Sequence, residues 1–334
     1  MIKLYKILFT TTLILSTLIV VSSQTWLGMW IGLEINLLSI IPLMNSSKNM
    51  MCTEASIKYF ITQALASTIL LFSIILMSTF FLNLPQEKTT LMLNSALFTK
   101  MGAAPFHFWF PEVIEGLNWM NSLILMTWQK IAPMTMIMYN INFVYFNFII
   151  VCCMLISGIM GINQISLRKI LAYSSINHIG WMIGALMFME TSWMIYFVIY
   201  SIISINIVLI FNKLNLYYLK QLFCSMTDNM IMKILFVFNF MSLAGLPPFL
   251  GFFPKWITIQ TMVMNNSIMM PLLMIVLTLI TMFFYLRITF STILLSANEI
   301  NFITMPKQKI YSILMFNMIS ILSLVYCTMI FNLN

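Results

Sequence analysis

Charge is scarce in this sequence: 16 Lys and Arg and 8 Asp and Glu make up 7% of 334 residues. A soluble domain carries about 25% charged residues. With 61% of its residues hydrophobic, this chain has too few polar side chains to cover a water-facing surface. A water-soluble globular fold is therefore excluded, and an all-α polytopic membrane protein is expected. Aspartate occurs once, at Asp228. There is no G-x-G-x-x-G, no phosphate loop and no Ser/His/Asp arrangement, so the chain itself is expected to bind no nucleotide and no flavin. The five cysteines, Cys52, Cys152, Cys153, Cys224 and Cys327, contain no C-x-x-C. Cys152 and Cys153 are adjacent and point to different faces of a helix. Iron–sulfur, zinc and disulfide frameworks are thus unsupported, and no metal site is expected. No basic run with interleaved aromatics occurs, so the net charge of +8 does not indicate nucleic acid.

About eleven apolar segments are long enough to span a bilayer, each needing roughly 20 residues. They run approximately over 4–22, 25–44, 57–83, 90–112, 119–140, 144–166, 170–189, 193–212, 234–263, 270–293 and 310–331. The positive charge explains their orientation. With the N-terminus inside, the inner loops hold Lys3, Lys6, Lys48, Lys58, Arg168, Lys169, Lys213, Lys220, Lys233, Lys307 and Lys309, and the outer loops hold only Lys88. Such a bias is what the positive-inside rule demands. Lys3 and Lys6 before an apolar run resemble a signal peptide, but no small-x-small cleavage site follows, so a retained first helix is expected. The 33 methionines, with abundant Ile, Asn and Phe, fit an AT-rich genome that reads an extra codon as Met, as in animal mitochondria.

Two of the spans are interrupted by one pattern, G-x-x-P-F-x-x-[W/F]-F-P. It occurs at Gly102–Pro111 and again at Gly245–Pro254. Proline removes a backbone donor and breaks a helix. Inside a membrane such a break is tolerated only where protein or a watery cavity satisfies the freed backbone groups. Pro133 is expected to kink segment 119–140 just after Lys130. Four ionisable residues fall near the middle of their spans: Glu34, Lys100, Lys130 and Lys255. A charge there costs about 2.5–3.5 kcal/mol even on insertion scales. One reading is a proton relay. Burial disfavours a charged lysine and pairing favours it, so a lysine between those effects can take up and release a proton, which arginine cannot. The bland reading is that Glu34 pairs with a lysine to hold helices together, or that the lysines snorkel.

His178 lies with Ser174, Asn177 and Trp181 on one face of an otherwise apolar span, at i, i+3, i+4, i+7 spacing. That stripe either lines a water path between lysines or forms interhelical hydrogen bonds. His107, just after the first break, either extends the relay or caps a half-helix. Glu112 and Glu115 at a span end are expected to be solvated or paired, and Arg287 to be a structural pair or a snorkelling residue.

Five stretches carry a family resemblance: Trp30-Ile-Gly-Leu-Glu34-Ile-Asn, Phe98-Thr-Lys100-Met-Gly-Ala-Ala-Pro-Phe-His-Phe-Trp109, Trp128-Gln-Lys130-Ile-Ala-Pro133, Leu171–Trp181 and Leu243–Lys255. Together they resemble the chain 2 family of NADH–ubiquinone oxidoreductase, the antiporter-like subunits of mitochondrial respiratory complex I. The resemblance implies two inverted five-helix repeats, approximately 1–140 and 144–293, followed by a C-terminal helix over 310–331, all in one transmembrane domain. It implies that the duplicated motif marks two equivalent broken helices. It maps the family's key glutamate to Glu34, its central lysine to Lys130 and its distal lysine to Lys255, with Lys100 beside Glu34 and His178 between the two lysines. It further implies proton translocation coupled to electron transfer from NADH to ubiquinone, with NADH, FMN, iron–sulfur clusters and ubiquinone bound elsewhere in the complex and no redox centre in this chain. The implied partners are other membrane-arm subunits, lipids, and protons with internal water. The implied place is the mitochondrial inner membrane, with the N-terminus on the matrix side. Two readings compete. A free-standing cation/proton antiporter would more often show paired intramembrane carboxylates, whereas this chain has one glutamate and three lysines there. An inert scaffold would make the buried charges costly.

Overall fold

The computed structural model of the chain describes residues 4–45, 49–78, 86–225, 230–247 and 249–294. The expected C-terminal helix over 310–331, together with Asp228 and Pro248, lies outside them. The described residues are helical, with one isolated β-bridge between Ser166 and Tyr218 and no strand. Six of their helices are long and apolar enough to cross a membrane: α1 (Leu4–Ser22), α2 (Trp26–Met44), α3 (Met50–Ser78), α8 (Phe143–Ile162), α10 (Glu190–Leu214) and α14 (Met269–Leu294). Their lipid-compatible faces carry exposed Leu, Ile, Phe and Met. This is what a bilayer solvent selects and water would not.

The chain divides into two compact units, Met1–Cys153 and Met154–Asn334. In the first, α1 packs on α2, α2 on α3, and α3 on both α4 (Gln86–Met101) and α5 (Trp109–Gly116). The helix that follows is interrupted. It runs as α6 (Trp119–Met126), a 3-10 turn over Trp128–Lys130, and α7 (Ile131–Ile137), which packs on α4 and α1. The irregular turn therefore ends on Lys130 itself, with α7 starting at the next residue. The reason is covalent: Pro133 has no N–H for the carbonyl four residues earlier, that of Gln129, so the distortion falls one turn N-terminal to the proline.

In the second unit, α9 (Leu167–Leu186) is enclosed on nearly every side, with Leu167 and all residues from Ile170 to Leu186 buried. It packs against α10, α13 (Phe252–Met264) and α14. This burial shields the polar residues that make α9 less apolar than its neighbours. α10 has Glu190 in its first turn and Lys213 in its last, matching the helix dipole. It ends on Asn215, left-handed at φ 50, whose N–H reaches Phe211 O. Short α11 (Leu219–Ser225) leads to α12 (Met230–Ala244).

The two copies of the duplicated motif share their glycine closure and their helix restart among the described residues. α4 ends with Gly102 at φ 73, and α12 with Gly245 at φ 77. Gly102 N–H donates to Thr99 O (3.2 Å) and Ala103 N–H to Phe98 O (3.0 Å). In the same register Gly245 N–H donates to Ser242 O (3.0 Å) and Leu246 N–H to Met241 O (3.3 Å). Each pair is a Schellman closure around a left-handed glycine. The chain then resumes a helix 143 residues apart in the two copies, at Trp109 and at Phe252, with Phe110 N–H on His107 O and Phe253 N–H on Leu250 O. Pro111 and Pro254 each fall in the first turn, where a missing N–H costs nothing.

Candidate functional site

The polar residues of the first unit converge where α4 stops. Lys100, in the last turn of α4, is 7% exposed. Its carbonyl lies 3.4 Å from Nε2 of Gln63 on α3. Glu34 of α2 is half-buried and acts on Lys100 through space without a direct ion pair. Lys130, at the end of the 3-10 turn, is 1% exposed, with Nζ 5.9 Å from the centre of the Phe110 ring. Phe110 belongs to the resumed helix α5, so the break presents an aromatic face to this ammonium. Two cavities of about 10 Å3 each join these groups. One lies between Lys100, Asn36 and Pro133, the other between Lys100, Lys130 and Phe110. Tyr59, Lys100 and Gln129 line both. A volume of that order holds one water when polar partners surround it.

The break itself is tied down by a thiol. Cys153 Sγ accepts the Ala104 N–H at 3.2 Å and sits 3.7 Å from Ala104 O. Cys153 is fully buried while Cys152 is half-buried, so the adjacent pair does point two ways. His107 is buried, its Nδ1 is 3.3 Å from Pro105 O and its ring packs on Phe108. Those contacts shape the turn. Outside the cavity, Lys58 Nζ bridges Glu54 and Glu112 at 3.0 Å each, so the pairing expected of Glu112 is present.

In the second unit the third lysine sits on the second break. Lys255 is 8% exposed, and its Nζ donates to Ala244 O at 2.8 Å. Ala244 is the last residue of α12, where helical carbonyls lack intrahelical donors and the dipole is negative. Nζ also lies 5.7 Å from the centre of the Trp181 ring on α9. Glycine is required beside it: a Cβ at Gly245 would stand 2.7 Å from Nζ. The α9 stripe makes interhelical hydrogen bonds to two different helices. His178 Nδ1 is 2.9 Å from Tyr196 Oη on α10, and Asn177 Nδ2 donates to Thr281 Oγ1 on α14 at 3.2 Å. Asn177 Oδ1 and Trp181 Nε1 are buried with no hydrogen-bond partner. Such atoms are where an enclosed water is retained. Arg287 Nη2 donates to Ile162 O, the last carbonyl of α8, at 2.8 Å.

The structure thus brings Lys100 and Lys130 onto one cavity, with Glu34 nearby, and sets Lys255 beside Trp181 and His178 against Tyr196. Asn36, Tyr59, Gln63 and Gln129 were not singled out in the sequence, and Cys153 was read there only for the face it takes. Their only signal there is being polar or sulfur-bearing inside apolar spans. Among the described residues no group of three or more His, Cys, Asp or Glu is placed to hold a metal ion.

Residues 23–281 match the transmembrane family described as NADH:quinone oxidoreductase/Mrp antiporter. The chain is 48% identical over 336 residues to the NADH-ubiquinone oxidoreductase chain 2 of Anopheles gambiae, which covers 98% of each protein. It is 40% identical over 296 residues to the bovine chain of the same name, Bos taurus, covering 86% of this chain and 85% of that one. Its fold is similar to that of a chain in respiratory complex I from Thermus thermophilus. The TM-score is 0.85 at 21% identity, over 97% of this chain and 78% of that one.

Proposed function

Since this chain belongs to the transmembrane family of NADH:quinone oxidoreductase and Mrp antiporter subunits, and within it to the NADH-ubiquinone oxidoreductase chain 2 proteins, we infer that it is a membrane-arm subunit of respiratory complex I. It takes part in proton translocation coupled to electron transfer from NADH to ubiquinone, and it assembles with other membrane-arm subunits. It is a multi-pass protein of the mitochondrial inner membrane. NADH, FMN, the iron–sulfur clusters and ubiquinone act elsewhere in the complex, and this chain contributes protein groups and internal water alone.

The finer reading is a protonatable relay built on Glu34, Lys100, Lys130, Lys255 and His178. The observation that carries it is Lys100 and Lys130 buried on one water-sized cavity beside a helix that stops and restarts. A charge change at Glu34 alters the field at Lys100, and Lys100 in turn that at Lys130. In the low dielectric of a buried site these like charges oppose each other's protonation strongly. In the second unit Lys255, held by the Ala244 carbonyl of α12 and the Trp181 ring, is the equivalent proton-bearing group, and the hydrogen-bonded pair His178–Tyr196 lies on the α9 and α10 helices of the same unit. The chain in this reading has about eleven spans, from an N-terminus on the matrix side. α4 and α5 form two halves of one broken span, and α12 and α13 two halves of another. The two copies of the break support a single transmembrane domain of two repeats, 1–140 and 144–293, with a last helix over 310–331.

The test is Glu34→Gln in the assembled complex. Assembly is expected to be retained, while NADH oxidation and proton pumping fall together by about tenfold or more, within the range of proton-transfer groups. Wild-type values of both would remove Glu34 from the relay.

A further inference from the structure

We propose that the amide pair Asn36–Gln129 is a gate between the two water-sized cavities, positioning the water that carries a proton between Lys100 and Lys130. This rests on the reading of those lysines as relay groups. Gln129 Nε2 donates to Asn36 Oδ1 at 2.8 Å. Asn36 lines the first cavity, Lys130 the second, and Gln129 both. An amide presents donors and an acceptor but does not itself ionise at physiological pH. Gln129 therefore orients water without competing for the proton, which is the property a gate needs.

The backbone under Gln129 is suited to movement. It lies within the 3-10 turn Trp128–Lys130, a geometry that inside a longer helix marks a hinge. Pro133 supplies no N–H to its carbonyl. The same turn carries Lys130, so a shift of this segment moves the gate and the lysine together. Asn36 is anchored on α2, two residues from Glu34. The pair accordingly links the helix bearing the carboxylate to the turn bearing the lysine. With the amide pair closed, Gln129 stands between the cavities. With Gln129 turned from Asn36, its amide faces the second cavity and its water joins the first. The other two residues common to both cavities are Tyr59, within α3, and Lys100, in the last turn of α4.

The experiment uses the complete assembled complex. Gln129→Met keeps the length of the side chain and removes its donor and acceptor. The expected result is normal assembly on native electrophoresis, with NADH oxidation and proton pumping both lowered about tenfold, as misplacement of a reacting partner does. An enlarged solvent deuterium isotope effect on the residual turnover is expected as well, which loss of packing alone does not produce. The reciprocal double variant Asn36→Gln with Gln129→Asn re-forms an amide pair and is expected to recover most of both activities. Lys130→Met is run in parallel. If Gln129→Met pumps like the wild type while Lys130→Met does not, the gate is overturned and the relay stands. If both pump normally, the relay itself falls. If Gln129→Met does not assemble, the double variant decides: an assembled double variant with wild-type turnover and isotope effect supports the gate, and one as impaired as Lys130→Met overturns it.

Discussion

Gly245→Ala is expected to abolish most of the coupled activity of the complex through a lysine ten residues away. Gly245 closes α12 at φ 77, a conformation that costs a residue with a Cβ about 1–3 kcal/mol. The added methyl would also stand 2.7 Å from Nζ of Lys255, 2.8 Å from Cδ and 2.9 Å from Cε. The lysine is the softer partner and moves, giving up its 2.8 Å bond to Ala244 O and its place over Trp181. A buried ammonium stripped of its acceptor is costly in a membrane. It is therefore displaced or held neutral, and in either state it no longer exchanges protons on cue. Activity per assembled complex, measured as NADH oxidation normalised to the complex on native gels, should fall by about tenfold or more. In Gly102→Ala the added Cβ would meet Phe110 Cβ at 3.0 Å and its ring at 3.1 Å, the ring that faces Lys130, so that variant disturbs the first unit's lysine instead. Wild-type activity per complex in Gly245→Ala would detach Lys255 from the mechanism.

Lys130→Arg separates a releasable charge from a fixed one. Both side chains offer a cation to the Phe110 ring, but the guanidinium stays protonated at any physiological pH. If the positive charge at this position merely holds helices together, the arginine variant should work once assembled. If Lys130 must lose a proton in each cycle, the variant should assemble and yet pump and turn over at about a hundredth of the wild-type rate, the lower bound for removing a proton-transfer group. The measurement is proton uptake and NADH oxidation in proteoliposomes, with assembly checked on the same preparation.

The ends of α4 and α12 were legible because glycine and proline carry their backbone preferences wherever they stand. Gly102 and Gly245 were expected to interrupt helices, and both adopt the left-handed closure that requires glycine. Helix starts were less legible. The third span was read from residue 57, whereas α3 begins at Met50. Its first turns are amphipathic and carry the Glu54–Lys58–Glu112 ion pairs, so hydropathy alone missed them. A kink just after Lys130 was expected from Pro133, and the irregular turn there covers Trp128–Lys130, because a proline acts on a carbonyl one turn earlier. The α9 stripe was read correctly as polar. Which helix each member faces depends on packing, and no spacing rule states that His178 meets Tyr196 while Asn177 meets Thr281. The hidden part of the site is the cavity wall. Asn36 and Gln129 are 93 residues apart and meet only once the helices are stacked. A lysine inside an apolar span announces itself by its cost, whereas an amide does so weakly.

The most direct measurement is of NADH oxidation and proton pumping together in the assembled complex carrying Lys130→Met. Met matches the apolar stem of lysine and leaves the 1% exposed position filled. The account predicts full assembly with both activities lost or strongly reduced, because electron transfer coupled to a blocked proton step stops with it. Full assembly with both activities at wild-type level would contradict it.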